Sequence, residues 1–283
     1  MMEILFDETF TPRDQAKVDI EDRGYQFGDG IYEVIRVYGG KMFCLEPHLQ
    51  RLQRSTSEIR LQLPYSLERL KQLLQELVQN NHLTDGNVYL QVSRGTAPRN
   101  HKFPENTRPM VVAYTMEAPR PVKMLDEGIH TITDPDIRWL RCDIKSLNLL
   151  GAVMSKQKAA DRGCEEAILH RDGRVTEGSS TNVFLVKDGT LITHPADHLI
   201  LHGITRQVVL ELAAELNWPV EERAASIEEL FRADEVFITS TTTEVTPVIS
   251  IDGRTVSDGK PGPMTRRLQK AFAERIGVGS LQK

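Results

Sequence analysis

Arg138-Trp-Leu-Arg-Cys-Asp-Ile-Lys-Ser-Leu-Asn148 sits in the middle of a 283-residue chain and carries the lysine from which the fold is best read. Residues 139–145 are compatible with a strand, and 149–160 read as a helix. Lys145 lies between Ile144 and Leu147, with Leu149 and Leu150 just beyond. Apolar surroundings destabilise an ammonium relative to the neutral amine, and a neutral amine can attack an aldehyde carbon. The same lysine could equally lay its stem along a surface strand and keep its head in water. Local sequence leaves both readings standing.

Toward the N-terminus, residues 31–45 read as a hairpin. Ile31, Val34 and Val37 are β-prone, Gly39-Gly40 supplies the turn, and 41–45 returns. Pro47 opens a helix on which Leu49, Leu52 and Ile59 recur at helical intervals. Ser66 stands as the N-cap of a second helix, whose stripe of Leu67, Leu70, Leu74 and Leu77 ends near Asn80-Asn81. Residues 88–93 and 110–115 are β-rich and flank a loop holding Pro98, His101 and Pro104. So long a loop between strands is more often functional than idle. Ala118-Pro-Arg-Pro-Val122, with two prolines two apart, is a stiff linker that suits neither a helix nor a central strand. It divides the chain into a smaller N-terminal domain over 1–117, a linker at 118–122 and a larger C-terminal domain over 123–283.

In the C-terminal part, 167–170 leads into an Asp172-Gly173 turn, and 183–186 pairs with 190–193 about Asp188-Gly189. Residues 204–216, opened by Gly203, have helical periodicity; 235–240 and 248–251 read as strands, and 263–276 as a closing helix. Both halves mix strands and helices without strict alternation, which points to the α+β class and away from a doubly wound sheet.

Bulk properties narrow the function. A net charge of -5 gives no basic footprint for nucleic acid and no polybasic membrane signal. Cys44, Cys142 and Cys164 lack zinc-ligand spacing and form no disulfide framework, as expected in a reducing compartment. No N-terminal basic-then-apolar segment and no apolar run of membrane-spanning length occur, so a cytoplasmic, soluble protein without a metal site is expected.

No P-loop, GxGxxG, GxSxG or HExxH pattern is present, and Gly28-Asp-Gly30 reads first as a turn. Single residues remain as candidates. Glu177, in Val175-Thr-Glu-Gly-Ser-Ser180, could keep a pyridine nitrogen protonated, or be a solvated turn carboxylate. Gly203-Ile-Thr205-Arg206 leads into a helix start whose free N–H groups suit an anion, and Ser240-Thr-Thr-Thr243 offers hydroxyls at a strand end. Both could equally be capping. Arg51 could add positive charge or form a surface ion pair. Arg99-Asn-His101 could grip a carboxylate through the arginine fork or be an accident of the surface. Tyr32 could face the same cavity or be a half-buried strand residue.

Taken together, these segments resemble the fold-type IV pyridoxal-phosphate enzymes, nearly end to end. The resemblance is densest at Asp22-Arg-Gly-Tyr-Gln-Phe-Gly-Asp-Gly30, Arg138–Asn148, Glu177-Gly-Ser-Ser180 and Gly203-Ile-Thr-Arg206. The lysine and Glu-Gly-Ser-Ser segments mark the whole class, whereas Arg99-x-His101 with Tyr32 points to its D-amino acid aminotransferase branch. The fold implied is a small N-terminal α/β domain with a C-terminal pseudo-barrel domain.

The resemblance implies the roles of individual residues. Lys145 becomes the Schiff-base lysine and proton carrier, and Glu177 the partner of the pyridine nitrogen. Arg51, Ile204, Thr205 and Thr241 become phosphate contacts, with Ser240 adjoining them; Leu201 packs beside the ring, and Ser180 lies near the cofactor. Tyr32, Arg99 and His101 become a trap for the substrate carboxylate, the Arg99–His101 loop reaching in from the other subunit of a homodimer. Arg138 is expected to support the Tyr32 side. The implied activity is ping-pong transamination between a D-amino acid and a 2-oxo acid, D-alanine and 2-oxoglutarate giving pyruvate and D-glutamate. Two other activities of the same fold stand as alternatives: L-branched-chain amino acid transamination and 4-amino-4-deoxychorismate cleavage. A non-catalytic protein that merely binds the cofactor is a fourth reading.

Overall fold

The computed structural model describes residues 2–277. The chain divides into two units. One is formed by the residues up to Arg120 together with Ile144–Asn148, the other by Pro121–Asp143 and the residues from Leu149 onward. The change-over at Arg120 and Pro121 lies within the Pro-Arg-Pro segment.

The first unit is built on a six-stranded antiparallel sheet. In chain order its elements are β1 (Glu3–Phe6), β2 (Thr9–Pro12), α1 (Arg23–Phe27), β3 (Gly30–Tyr38), β4 (Lys41–Met42), α2 (Leu45–Glu58), α3 (Leu67–Asn80), β5 (Gly86–Ser93) and β6 (Met110–Glu117). The strands lie in the order β2-β1-β6-β5-β3-β4. Ile31, Ile35 and Val37 alternate along β3 onto one face. There they meet Leu49 and Leu52 of α2 and Leu70, Leu73, Leu74 and Leu77 of α3 in a single buried core. Gly39 and Gly40 turn β3 into β4 with φ of 53° and 77°, the positive values a tight hairpin needs. Ser66 Oγ caps α3 by accepting the Arg69 N–H at 3.2 Å. Three short elements were not anticipated: the strands β1 and β2, and before Gly28 the helical turn α1, capped by the Asp22 carboxylate, which accepts the Gly24 N–H at 2.8 Å.

Residues 139–145 do not form the expected strand; the segment is irregular apart from one antiparallel bridge between Ile31 and Ser146. The reason lies in its hydrogen bonds. The Cys142 N–H is taken by the His198 carbonyl at 2.9 Å, and Asp143 pairs with the Arg141 guanidinium. No continuous ladder is left for β-prone residues to join.

The second unit comprises α4 (Val122–Glu127), β7 (Ile129–Pro135), α5 (Leu150–Asp161), β8 (Glu166–Arg171), β9 (Arg174–Gly178), β10 (Asn182–Lys187), β11 (Thr190–Thr193), α6 (Ile204–Glu215), β12 (Val220–Glu222), α7 (Ile227–Phe231), β13 (Glu235–Ser240), β14 (Glu244–Ile251), β15 (Arg254–Thr255) and α8 (Pro263–Arg275). Its sheet runs β12-β11-β10-β13-β14-β7-β8-β9, with β15 paired to β14. Parallel pairing is confined to β11 with β12, β14 with β7 and β7 with β8. This mixture of hairpins and a few crossovers is the α+β pattern expected from the sequence. Val183, Leu185, Val236, Ile238 and Val248 pack with Leu230 of α7 on one side of the sheet. On α8, Glu235 caps the N-terminus, accepting the Met264 and Thr265 N–H groups at 2.9 and 2.8 Å. Among the described residues no helix is long and apolar enough to cross a membrane.

In the first unit a buried ion pair joins β3 to α2. Arg51 donates from Nε and Nη2 to the two oxygens of Glu33 at 2.8 and 2.7 Å, and His48 Nδ1 lies 2.7 Å from Glu33 Oε2. Burial by itself favours the neutral Glu33 carboxyl, but the charge and hydrogen bonds of Arg51, with those of His48, bring it from 4.5 down to about 2. A depressed folded-state value means that the pair stabilises the protein above about pH 4.5 and ceases to do so as pH falls through about 2. Glu33→Ala, which leaves Arg51 buried without its partner, is expected to lower unfolding free energy by about 3–5 kcal/mol at pH 7. The difference from wild type in urea melts should shrink as pH is lowered from 5 toward about 2.5. An equal loss at all pH values would show that the ion pair is not its source.

Candidate active site

Within the first unit, two sequence-predicted residues come together. Lys145 Nζ stands 4.3 Å from the centre of the Tyr32 ring. Their backbones are joined as well, since the Tyr32 N–H donates to the Lys145 carbonyl at 3.0 Å. Ile144 is part of the buried core, so the residue before Lys145 is an anchor. Lys145 itself is half-buried; the nearby His48 is held below the ordinary imidazole value by burial first, against the pull of Glu33, with smaller contributions from the charges of Arg51 and Lys145. Tyr32 stacks on Tyr89 with ring centres 5.8 Å apart. Arg51 is turned onto Glu33, a partner not anticipated from the sequence.

Arg99 and His101 are exposed and meet at one ring. The Arg99 guanidinium lies 4.6 Å from the centre of Phe27, and the His101 ring centre lies 5.5 Å from it. A guanidinium against an aromatic face keeps its in-plane N–H donors available, which suits a carboxylate.

In the second unit, Glu177 is buried at the end of β9. Its Oε1 accepts from Arg138 Nη1 at 2.6 Å. Its Oε2 accepts from Asn182 Nδ2 at 2.9 Å and from the Leu201 N–H at 3.0 Å. Oε1 therefore has a single donor among the described residues, and a second acceptor direction remains open. Asn182 also donates to the Leu201 carbonyl at 2.9 Å, tying the Leu201 segment to the carboxylate. Burial raises the Glu177 carboxyl from 4.5 to about 7, against the pull of the Arg138 charge and hydrogen bond. A carboxyl so placed takes its charged form readily when another cation arrives beside it.

The fork of Arg138 is occupied by Glu177 and by Asp136, which it reaches from Nε and Nη2 at 3.0 and 2.9 Å. Arg171 and the Thr176 hydroxyl complete the surroundings of Asp136, at 3.2 and 3.0 Å. Asn182, Asp136 and Arg171 were missed in the sequence. The only available signal was that Asn182 follows the Glu-Gly-Ser-Ser segment directly on β10.

The anion-binding candidates also lie in this unit. Ile204 and Thr205 are the first residues of α6, whose N-cap, Gly203, contributes no side-chain bond to the free N–H groups of the first turn. Gly203 is required there, because a Cβ would fall 2.0 Å from Asn182 Oδ1. Ser240 ends β13, against which α6 packs, and Thr241 follows it. Ser240 Oγ pairs with the Thr243 hydroxyl at 2.8 Å, so the turn is fastened within itself while Thr241 is half-buried. Ser180 is exposed, and its hydroxyl donates to Glu166 at 3.1 Å. Glu166, buried and unnoticed in the sequence, also accepts from Ser179 and Thr181 and so holds the Ser-Ser-Thr turn.

Comparison with known proteins agrees with these features. Residues 30–251 match the model of the amino-transferase class IV family. The chain is 52% identical over 275 residues to a D-alanine aminotransferase of Bacillus licheniformis, covering 97% of each. It is 49% identical over 282 residues to the D-alanine aminotransferase of Staphylococcus aureus (strain COL), covering 99% of this chain and 100% of that one. Among solved structures, a branched-chain amino acid aminotransferase of Escherichia coli superposes with a TM-score of 0.93 at 29% identity, covering 98% of this chain and 95% of the other. The PLP-form of the branched-chain aminotransferase from Thermobaculum terrenum gives 0.87 at 29% identity, with 97% and 94% covered. A family match that takes in Tyr32, Lys145, Glu177 and the α6 N-terminus, on a backbone shared with these enzymes, leaves no other assignment: the chain belongs to the class IV aminotransferases of fold type IV and is a transaminase.

Proposed function

We propose that this transaminase uses pyridoxal 5′-phosphate to move an amino group between a D-amino acid and a 2-oxo acid, D-alanine and 2-oxoglutarate giving pyruvate and D-glutamate. The observation that carries the reading is the Arg99–His101 pair held at one ring, in a chain about half identical to proteins named D-alanine aminotransferase. The residues present fit the cofactor. Lys145 offers an amine over a tyrosine ring, Glu177 an acceptor direction for a ring N–H, and the α6 start free amides for a phosphate.

When bound, pyridoxal phosphate supplies an aldehyde carbon for covalent attachment and a ring that withdraws electrons from the substrate α-carbon. Lys145 would hold that aldehyde carbon through its amine and would carry the substrate α-proton, help typically worth about 10²–10⁴ in rate. Glu177 would keep the ring nitrogen protonated; Arg138, Asn182 and the Leu201 amide hold its carboxylate. The amides of Ile204 and Thr205, the hydroxyls of Ser240 and Thr241 and the charge of Arg51 hold the phosphate. Leu201 would pack beside the ring, with Ser180 near it. Tyr32, Arg99 and His101 take the substrate carboxylate, and the side on which they take it sets the handedness. The Arg99–His101 loop acts on the partner subunit's site in a homodimer. The enzyme works in the cytoplasm, where Cys44, Cys142 and Cys164 stay as thiols.

The solved branched-chain aminotransferases favour a second reading, transamination of L-branched-chain amino acids. The purified enzyme, given D- or L-alanine with 2-oxoglutarate while pyruvate is followed, is expected to use only the D-enantiomer. Preference for L-substrates would replace the proposal with the second reading, and pyruvate release from aminodeoxychorismate without any 2-oxo acid would replace both. Lys145→Ala is expected to lower kcat at least about 10²-fold, and borohydride reduction followed by peptide mapping should place the label on Lys145 in the wild type.

Arg99→Ala removes a charge-assisted fork and is expected to raise KM for D-alanine about 10–100-fold with a smaller change in kcat. An unchanged KM would remove Arg99 from the carboxylate site. Mixing Lys145→Ala and Arg99→Ala subunits tests the shared site: exchange should restore up to about a quarter of wild-type activity if Arg99 acts across the dimer. No recovery in exchanged dimers would place it in its own subunit's site.

A further inference from the structure

The loop carrying Arg99 and His101 is fastened by residues of the Asp22–Gly30 segment and by Arg94. Arg23, buried in α1, donates from Nη1 to the Asn100 carbonyl at 2.6 Å. Asn100 is the residue between Arg99 and His101, so their common backbone point is pinned. Arg23 is itself fixed, since its Nε donates to Asp29 at 2.7 Å, and Asp29 is gripped in turn by Arg94 at 2.8 Å. The guanidinium of Arg23 lies 4.7 Å from the centre of Phe27, the same ring that Arg99 meets at 4.6 Å and His101 at 5.5 Å. The two ends of the loop are also held. Thr96 bridges to Asp22, and Phe103 lies under Arg94 at 3.7 Å. Gly95, at φ 91°, lets the chain pass where a Cβ would come within 2.0 Å of the Arg108 carbonyl.

A long exposed arginine has many rotamers, and binding through it costs the entropy of selecting one. Here the fastened peptide at Asn100 and the Phe27 face reduce that choice before any ligand arrives. An aromatic ring does this in a way an aliphatic side chain does not, because its face attracts the guanidinium while leaving the edge donors free. We propose that Phe27 and Arg23 are positioning residues for carboxylate recognition: the ring of Phe27 pre-orients Arg99 and His101, and Arg23 locks the peptide between them. This rests on Arg99 and His101 being the carboxylate contacts. It adds that the Asp22–Gly30 segment, through Phe27, sets substrate affinity.

The test compares Phe27→Leu, Phe27→Tyr, Arg99→Ala and Phe27→Leu/Arg99→Ala in the holoenzyme, with D-alanine as substrate and acetate as a competing carboxylate. Phe27→Leu keeps apolar bulk and loses the ring; it is expected to raise KM and the acetate Ki together, about five- to thirtyfold, with kcat within about twofold. Phe27→Tyr retains the ring and should stay near wild type. In the Arg99→Ala background, Phe27→Leu should add less than about twofold. If Arg99→Ala raises KM but Phe27→Leu leaves KM and Ki unchanged, the positioning role is overturned while the carboxylate site stands. If Phe27→Leu lowers kcat and thermal stability without a rise in acetate Ki, or if Tyr is as impaired as Leu, the role of Phe27 is structural and the inference fails. If Arg99→Ala itself changes nothing, the carboxylate reading fails first and this one falls with it.

Discussion

Two backbone hydrogen bonds hold Lys145 against β3. The Tyr32 N–H donates to the Lys145 carbonyl and the Leu147 N–H to the Gly30 carbonyl, both at 3.0 Å. They form the antiparallel bridge between Ile31 and Ser146 and dock Ile144–Asn148 on β3 in the first unit, although the residues on either side belong to the second. Because side chains alternate along paired extended chains, this register dictates which residues share a face. Ile144 goes into the core, and Lys145 goes over the ring of Tyr32. Gly30 makes the approach possible, since a Cβ there would lie 2.6 Å from the Val92 carbonyl and 2.8 Å from the Leu147 side chain.

Two buried glutamates, one in each unit, have been given opposite electrostatic characters by the same kind of partner. Glu33 receives two bonds from Arg51 and one from His48 and is driven down to about 2. Glu177 receives one bond from Arg138, whose other donors serve Asp136, and burial then prevails and lifts it to about 7. The difference suits their places. Glu33 is a fixed structural anion that joins β3 to α2, whereas Glu177 keeps an acceptor direction open and changes charge easily.

Much of the fold was legible because its elements are decided by close neighbours. The leucine stripe and Ser66 cap of α3, the Gly39-Gly40 and Asp188-Gly189 turns and the run Glu235–Ser240 all form as the pattern indicated. The segment 139–145 misled because β-branched and aromatic residues fit a pleated surface without supplying a strand to pair with. The turn α1 was invisible because five residues held by an aspartate cap carry no periodicity to detect. Lys145, Glu177 and Gly203 could be singled out from residue type and immediate surroundings, and the family resemblance ranked them above equally plausible surface roles.

The sequence by itself determined the striped and capped helices and the glycine turns, and it singled out Lys145, Glu177 and the α6 start, because these depend on contacts within a turn or two of chain. Only the tertiary structure decided the pairings. Arg51 faces Glu33 at a separation of 18 residues, Arg138 faces Glu177 at 39, and Arg23 reaches the Asn100 carbonyl at 77. A buried charge takes whichever opposite charge or carbonyl the packing of distant strands brings within about 3 Å, and no local pattern records that choice.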